Sequence, residues 1–208
     1  MPKPLPVNEP QPEAAPSRRV GRPRAEGTKV RILAAANAIL EEEGIAGFTV
    51  EAVAARAGAG RATIYRWWPT RGALAMAGFL AETAPKITYP AAGTARATIT
   101  KQLKRVAEVY SGKAGRVLAA LIAEGQRDPG TITAFVDGYA RPRRDEGRAI
   151  LQAGIDRGEL CADLDLEVAL DALYGPIYYR LLVPLNPLDA AAAERIADQV
   201  FEGMLAPR

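Results

Sequence analysis

The chain has 208 residues, 49% hydrophobic and 25% charged, with 27 basic against 24 acidic residues and a net charge of +3. That composition can bury one sizeable core, or a small and a larger one, and it excludes disorder throughout. Histidine is absent and Cys161 is the only cysteine, which excludes histidine-dependent triads, an internal disulfide and a cysteine-built zinc site.

No cofactor is expected, and a metal effector is disfavoured by the same lack of soft and imidazole ligands. The longest stretch without charge, Gly72 to Ala81, is far below the ~20 apolar residues that span a bilayer. No signal-like apolar segment opens the sequence. A cytoplasmic protein with no membrane partner is therefore expected.

Seven of the sixteen prolines lie in the first 23 residues, where no hydrophobic period is visible, so residues 1–24 read as an extended, mobile basic arm. Between Ser17 and Arg31, six cations (Arg18, Arg19, Arg22, Arg24, Lys29 and Arg31) face the single acid Glu26. Such a basic front points to a polyanion, with nucleic acid first. Arg19-Val20-Gly21-Arg22-Pro23-Arg24 resembles an AT-hook, whose arginines follow the minor groove; Arg22 and Arg24 are its candidate contacts.

A helical period then begins, with Ile32, Ala36, Ile39 and Leu40 on one face, and Gly44 is placed to stop it. Thr49 is a good N-cap for a short helix carrying Val50, Val53, Ala54 and Ala57, and Gly58 ends it. A third helix starts near Gly60 or Arg61 and runs through Trp68, with Pro69 as its stop. Helices are predicted over Arg71 to Thr83, Ala95 to Tyr110, Lys113 to Arg127, Thr131 to Arg157, Asp165 to Leu182 and Asp189 to Leu205. Pro142 should kink the fourth of these. Arg141, Arg143 and Arg144 beside it read as a solvated face, and Asp163, Asp165 and Glu167 as capping acids.

The last helix has a clean stripe of Ala193, Ile196, Ala197, Val200, Phe201 and Met204. The one before it is apolar on most sides, so it needs a second cover besides its own core. A second copy of the chain is the economical cover, giving a homodimer with a four-helix contact.

Two short helices joined across Gly58 have the form of a helix-turn-helix. The run Gly47-Phe48-Thr49-Val50-Glu51-Ala52-Val53-Ala54-Ala55-Arg56-Ala57-Gly58, continued by Arg61-Ala62-Thr63-Ile64-Tyr65-Arg66-Trp67-Trp68-Pro69-Thr70-Arg71, closely resembles the DNA-binding region of the tetracycline-repressor (TetR) family. A weaker resemblance to one subgroup of its C-terminal domains lies in Glu159-Leu160 through Asp163-Leu164-Asp165 and in Gly175-Pro176-Ile177-Tyr178-Tyr179-Arg180-Leu181-Leu182. The chain departs from the family in having Ala59-Gly60 where Val-Ser is usual and Arg71 where lysine is usual. Gly60 can occupy the N-cap without supplying a hydroxyl, and Arg71 keeps the charge.

The resemblance implies an all-α protein: the arm, a helix-turn-helix domain over residues 25–72, and a helical effector-binding and dimerisation domain over residues 73–208. Thr49, Thr63, Tyr65 and Arg71 would hold the backbone of a double-stranded operator. Arg61 is the first candidate for guanine readout, followed by Arg56 and Arg66, while Ala62 could meet a thymine methyl. Trp67 would lie beside the backbone, and Ile64 and Trp68 in the core.

Phe79, Leu103, Val106, Tyr110, Leu118, Leu121, Phe135, Tyr139, Tyr174 and Tyr178 could build an apolar pocket with tyrosine hydroxyls for a small-molecule effector. Taken singly, each reads first as ordinary core. The expected function is a non-enzymatic, ligand-responsive regulator, most simply a repressor released from a palindromic operator. A helical ligand-binding protein or enzyme with an incidental basic front is the alternative.

Overall fold

The computed structural model describes the backbone of residues 21–204 apart from residue 92, with side chains from Glu26 onward. Among these residues there are ten α-helices and no strand, in agreement with the all-α expectation. Helix α1 (Gly21–Gly47) begins inside the segment expected to be an extended arm. Gly21-Arg22-Pro23-Arg24 is helical instead, and Pro23 is tolerated because in a first turn its missing N–H costs no helical bond. Residues 1–20, and the side chains of Arg22 and Arg24, lie outside the described residues. The helix breaks where the sequence places its stop, at Gly44 (φ 68°, ψ −174°), a backbone conformation that glycine adopts without a Cβ clash.

Local capping chemistry sets the next three helices. Thr49 caps α2 (Val50–Ala57), its hydroxyl accepting from the Ala52 N–H at 3.1 Å, and Gly58 closes that helix in the left-handed conformation (φ 59°, ψ 43°). Gly60 stands at the N-cap of α3 (Arg61–Trp67) with no side chain to help, so only its carbonyl serves the turn, accepting from Thr63 and Ile64. Thr70 then caps α4 (Arg71–Thr83) by accepting from the Ala73 N–H. A 3₁₀ turn, Ala84–Ile87, follows and was not legible in the sequence.

The body continues with α5 (Ala95–Tyr110) and α6 (Lys113–Gly125). The single helix expected over Thr131 to Arg157 is three pieces: α7 (Pro129–Phe135), a π-helical turn (Val136–Ala140) and α8 (Arg141–Asp156). Pro142 explains the break, since it cannot donate to the carbonyl four residues back and its ring would strike that carbonyl. The chain widens by one residue, and Arg141 N–H donates to the Val136 carbonyl. Such π turns often re-aim a side chain at a functional site, and this one carries Tyr139. Helices α9 (Leu166–Leu182) and α10 (Ala190–Glu202) complete the chain. Asp165 caps α9, as the acidic cluster suggests, accepting from the Glu167 and Val168 amides.

Helix α4 lies at the centre, packed on α1 and on α7. Its first turn approaches α7 so closely that a Cβ on Gly72 would overlap Thr131 Oγ1 at 1.7 Å. The boundary expected at residue 72 thus falls inside one continuous helix. The stripe of α10 turns inward: Ala193, Ala197, Phe201 and Met204 are buried, chiefly against α5. Around α8, the arginines expected to be merely solvated make ion pairs. Arg144 bridges Glu167 (2.8 Å) and Asp171 (2.7 Å), and Arg143 pairs with Glu146 (2.7 Å).

Candidate functional site

Two surfaces carry the chemistry, and α4 joins them. Helix α3 is anchored by Ile64 and Trp68, both buried in the core, which leaves Arg61, Ala62, Tyr65 and Arg66 exposed on one side. Thr49, Arg56 and Gly60 are exposed beside them, and Thr63 is half-buried. Trp67 is also half-buried, edge-to-face with Trp68 at 5.6 Å, and the Arg66 guanidinium sits 5.5 Å above its ring. The α3 candidates Arg61, Ala62, Tyr65 and Arg66 are thus exposed, whereas Arg56 sits against Glu42 of α1.

Two of its arginines are held by acids. Arg61 pairs with Glu51 at 2.9 Å and Arg56 with Glu42 at 2.7 Å. Hydrogen bonds from Arg61 and Arg56 hold the Glu51 and Glu42 carboxyls below their ordinary values. All four side chains are well exposed, so water and salt weaken both pairs, and a polyanion can displace either carboxylate.

Arg71 is placed differently from the expected phosphate partner. Its guanidinium turns inward, donating to the Ile45 carbonyl (2.9 Å) and the Phe48 carbonyl (3.2 Å), and pairs with Glu124 of α6 at 2.6 Å. The forked cation satisfies carbonyls left over where α1 ends, a task for which its planar donors are suited. It fastens the helix-turn-helix to the body.

A second fastening lies one residue earlier. The Thr70 hydroxyl donates to Asp128 Oδ2 at 2.7 Å, and that carboxylate also accepts from the Thr131 hydroxyl (2.8 Å) and the Gly130 N–H (3.0 Å). Thr70, more than any other contact, holds the Asp128 carboxyl below its ordinary value of 3.8. Because folding favours the ionised form, this contribution is complete above the ordinary value and is lost as pH falls through the lowered one. Thermal melts between pH 6 and pH 3 should therefore show an acid slope that Asp128→Asn flattens; a slope identical in the variant would remove Asp128 from the account.

The second surface is a cavity of about 90 Å³ between the loop after the 3₁₀ turn, α5, the π turn, α8 and α9, lined by Tyr89, Gln102, Tyr139, Ala140, Arg143, Arg144, Tyr174 and Tyr178. Three of these, Tyr139, Tyr174 and Tyr178, are among the sequence candidates. Leu103, Val106, Leu118, Leu121 and Phe135 are buried core, and Phe135 backs the cavity through its rings' contacts with Tyr139 (5.7 Å) and Tyr178 (6.1 Å). Phe79 faces a separate small cleft against α1 and α6, and Tyr110 a groove beside Leu185. Tyr89, Gln102 and the two arginines were missed; Tyr89 stands in a loop without period, but Gln102 is a polar residue on the buried face of α5, a signal that was readable.

Inside the cavity the Tyr174 hydroxyl donates to Gln102 Oε1 at 2.7 Å, Gln102 Nε2 donates to the Ile87 carbonyl at 3.1 Å, and Tyr89 and Tyr174 share a 2.7 Å hydrogen bond. Burial pushes the Tyr139 phenol up to about 12 and those of Tyr174 and Tyr178 well above their ordinary value of 10.0. The three phenols are therefore neutral at physiological pH, and the charge on the lining comes from Arg143 and Arg144. A larger groove of about 660 Å³ runs between α5 and α10. It is open and charged, with two of its four cations paired as Lys104–Glu194 and Arg96–Asp198, and it resembles solvated surface more than a binding site.

Comparison with known proteins agrees with both halves. Residues 32–77 match the bacterial regulatory proteins of the tetR family, and residues 89–200 match a tetracyclin repressor-like C-terminal domain. The HTH-type transcriptional regulator YdeS of Bacillus subtilis is 35% identical over 186 residues, covering 89% of this chain and 94% of that one. Rv1556 of Mycobacterium tuberculosis, also an HTH-type regulator, is 28% identical over 176 residues, covering 83% and 85%. The crystal structure of the TetR family regulator SCO0332 superposes with a TM-score of 0.76 at 32% identity, covering 86% of this chain and 99% of that one. No helix among the described residues is long and apolar enough to cross a membrane. With an exposed recognition helix on a helical body and matches over both parts, the chain belongs to the TetR family of DNA-binding transcriptional regulators.

Proposed function

We propose that the protein is a homodimeric repressor that grips a palindromic operator with α3 and releases it when a small molecule enters the tyrosine-lined cavity. The observation that carries this reading is the double fastening of α4. Its first residues hold the helix-turn-helix through Arg71, and they hold α6 and α7 through Glu124 and Asp128. The π turn between α7 and α8 carries Tyr139 into the cavity wall. A ligand that binds one setting of α7 more tightly than another shifts the angle of α4, and with it the separation of two recognition helices. A regulator of the same fold, FadR of Bacillus subtilis, has been crystallised with stearoyl-CoA, which supports effector binding as a use of this scaffold. No catalytic role is proposed.

The dimer would form along α9. Val168, Ala172, Gly175, Tyr179 and Leu182 are all exposed and, at intervals of four, three, four and three, fall on one stripe. The small Ala172 and Gly175 at its middle permit close approach of a partner helix. Two-fold symmetry then places two α3 helices for two operator half-sites.

On the DNA side, Arg61 is assigned to base readout, with Arg56, Arg66 and Ala62 next to it. Thr49, Gly60, Thr63, Tyr65 and Trp67 lie at the sugar-phosphate backbone. Arg71 is not assigned a phosphate. The test is Arg61→Ala against operator variants selected with the purified protein. Affinity for the preferred site should fall about 10- to 100-fold, with smaller losses on sites altered at the contacted base pair. A uniform loss across all variants would make Arg61 a phosphate clamp and move the reader to Arg56 or Arg66.

A further inference from the structure

The direction of the hydrogen bonds inside the cavity constrains what can bind there. Gln102 fixes the chain: its amide N–H₂ is committed to the Ile87 carbonyl, so its oxygen faces Tyr174 and must accept. Tyr174 has one proton and gives it to that oxygen. The 2.7 Å bond between the Tyr89 and Tyr174 hydroxyls must then run from Tyr89 to Tyr174, which uses the only proton Tyr89 has. What the Tyr89 oxygen has left to offer a ligand is acceptance, whereas the Tyr139 and Tyr178 hydroxyls on the same lining still carry protons to donate. Close packing at Gly147, where a Cβ would meet that hydroxyl at 2.6 Å, holds the oxygen in place.

The charges at the mouth narrow the class further. Arg144 is engaged with both Glu167 and Asp171, and Arg143 with Glu146 and the Ala84 carbonyl. Arg143 also lies 5.9 Å above the Tyr139 ring, occupying the position a cationic ligand would take on that face. An anion must displace Glu146, Glu167 or Asp171 to reach either guanidinium, and Arg143 already fills the cationic position on the Tyr139 face. At about 90 Å³ the space is smaller than the roughly 150 Å³ that encloses benzene, so the occupant is at most one ring, with its edge in the mouth.

We infer that the cavity takes a small, uncharged, single-ring molecule that brings a hydroxyl donor to Tyr89, a phenol in chemical class. This rests on the reading of the cavity as the effector site, but the chemistry can be tested without DNA. Calorimetry on the full-length protein would compare phenol with benzonitrile, which only accepts, and with benzoate, which is charged. Phenol should bind about tenfold more tightly than benzonitrile, the scale of one net hydrogen bond, and benzoate should not bind measurably. Tyr89→Phe keeps the ring and removes the acceptor, so it should abolish the preference for phenol while the thermal melt shows a folded protein. Ser111→Ala, which removes an exposed hydroxyl outside the cavity lining, should leave it intact. Benzonitrile or benzoate binding as tightly as phenol, a preference that survives Tyr89→Phe, or no binding of phenol at millimolar concentration would each overturn the inference. Phenol bound with the expected preference but without any change in operator affinity would uphold the ligand class and refute the effector reading instead.

Discussion

Replacing Tyr179 and Leu182 together by aspartate is expected to leave a folded monomer whose operator affinity has dropped about 10²- to 10⁴-fold. The size follows from valency: two linked recognition helices bind a palindrome as one event, and separating them removes that gain without touching a DNA contact. The fold should survive because both side chains are about half exposed in the protomer, 53% and 46%, so neither aspartate is forced into a core. Light scattering should give the monomer mass, and circular dichroism an unchanged helical signal. A variant that stayed dimeric would move the interface off this stripe of α9. The choice of residues matters: Phe201 belongs to the clean stripe of α10, but it is fully buried within the protomer, so a charge there would unfold the chain and report nothing about association.

That contrast shows where the sequence was legible. Local chemistry was: Gly44, Thr49 and Gly58 each end or start a helix by a bond or a dihedral within a few residues, and α4 and α5 run over the residues their periodicity predicts. The outward face of α3 follows from the same arithmetic, since Ile64 and Trp68 are four apart and must share the inner side. What the sequence hid is long-range. An apolar stripe says that a helix face is covered, not by what, so α10 read as a dimer surface when α5 covers it. Asp128 looked like loop, although it accepts from a hydroxyl 58 residues away. The break of α7 from α8 had a visible cause in Pro142, but a kink and a π turn are equally consistent with one proline. The cavity depended on Tyr89, in a segment with no period at all, and only Gln102, polar on a buried face, announced that something other than packing was being built.

Arg71 is the residue whose role the structure changes most, and its substitution separates the two roles by salt dependence. A phosphate clamp removed by Arg71→Ala would weaken DNA binding and lower the slope of log affinity against log salt by about 1. The fastening seen here predicts a different pattern. Without the guanidinium, the Ile45 and Phe48 carbonyls lose their donor and Glu124 its partner. The cost to stability should be about 1–3 kcal/mol, towards the lower end because the side chain is 39% exposed and its ion pair is partly screened. Melting should fall by about 2–4 °C per kcal/mol for a chain of this length. DNA affinity should decrease alike on all operator variants, with the salt slope unchanged, because the loss is in how α3 is held and not in what it touches. Arg71→Lys should rescue little, as a single ammonium cannot serve two carbonyls and a carboxylate in the fork's geometry. Glu124→Gln separates the pair from the carbonyl bonds, and the double variant should cost less than the sum of the two single ones, since both remove the same contact. A reduced salt slope in Arg71→Ala with an unchanged melt would return Arg71 to the phosphate backbone, and α4 would then be coupled to the body through Thr70 and Asp128 alone.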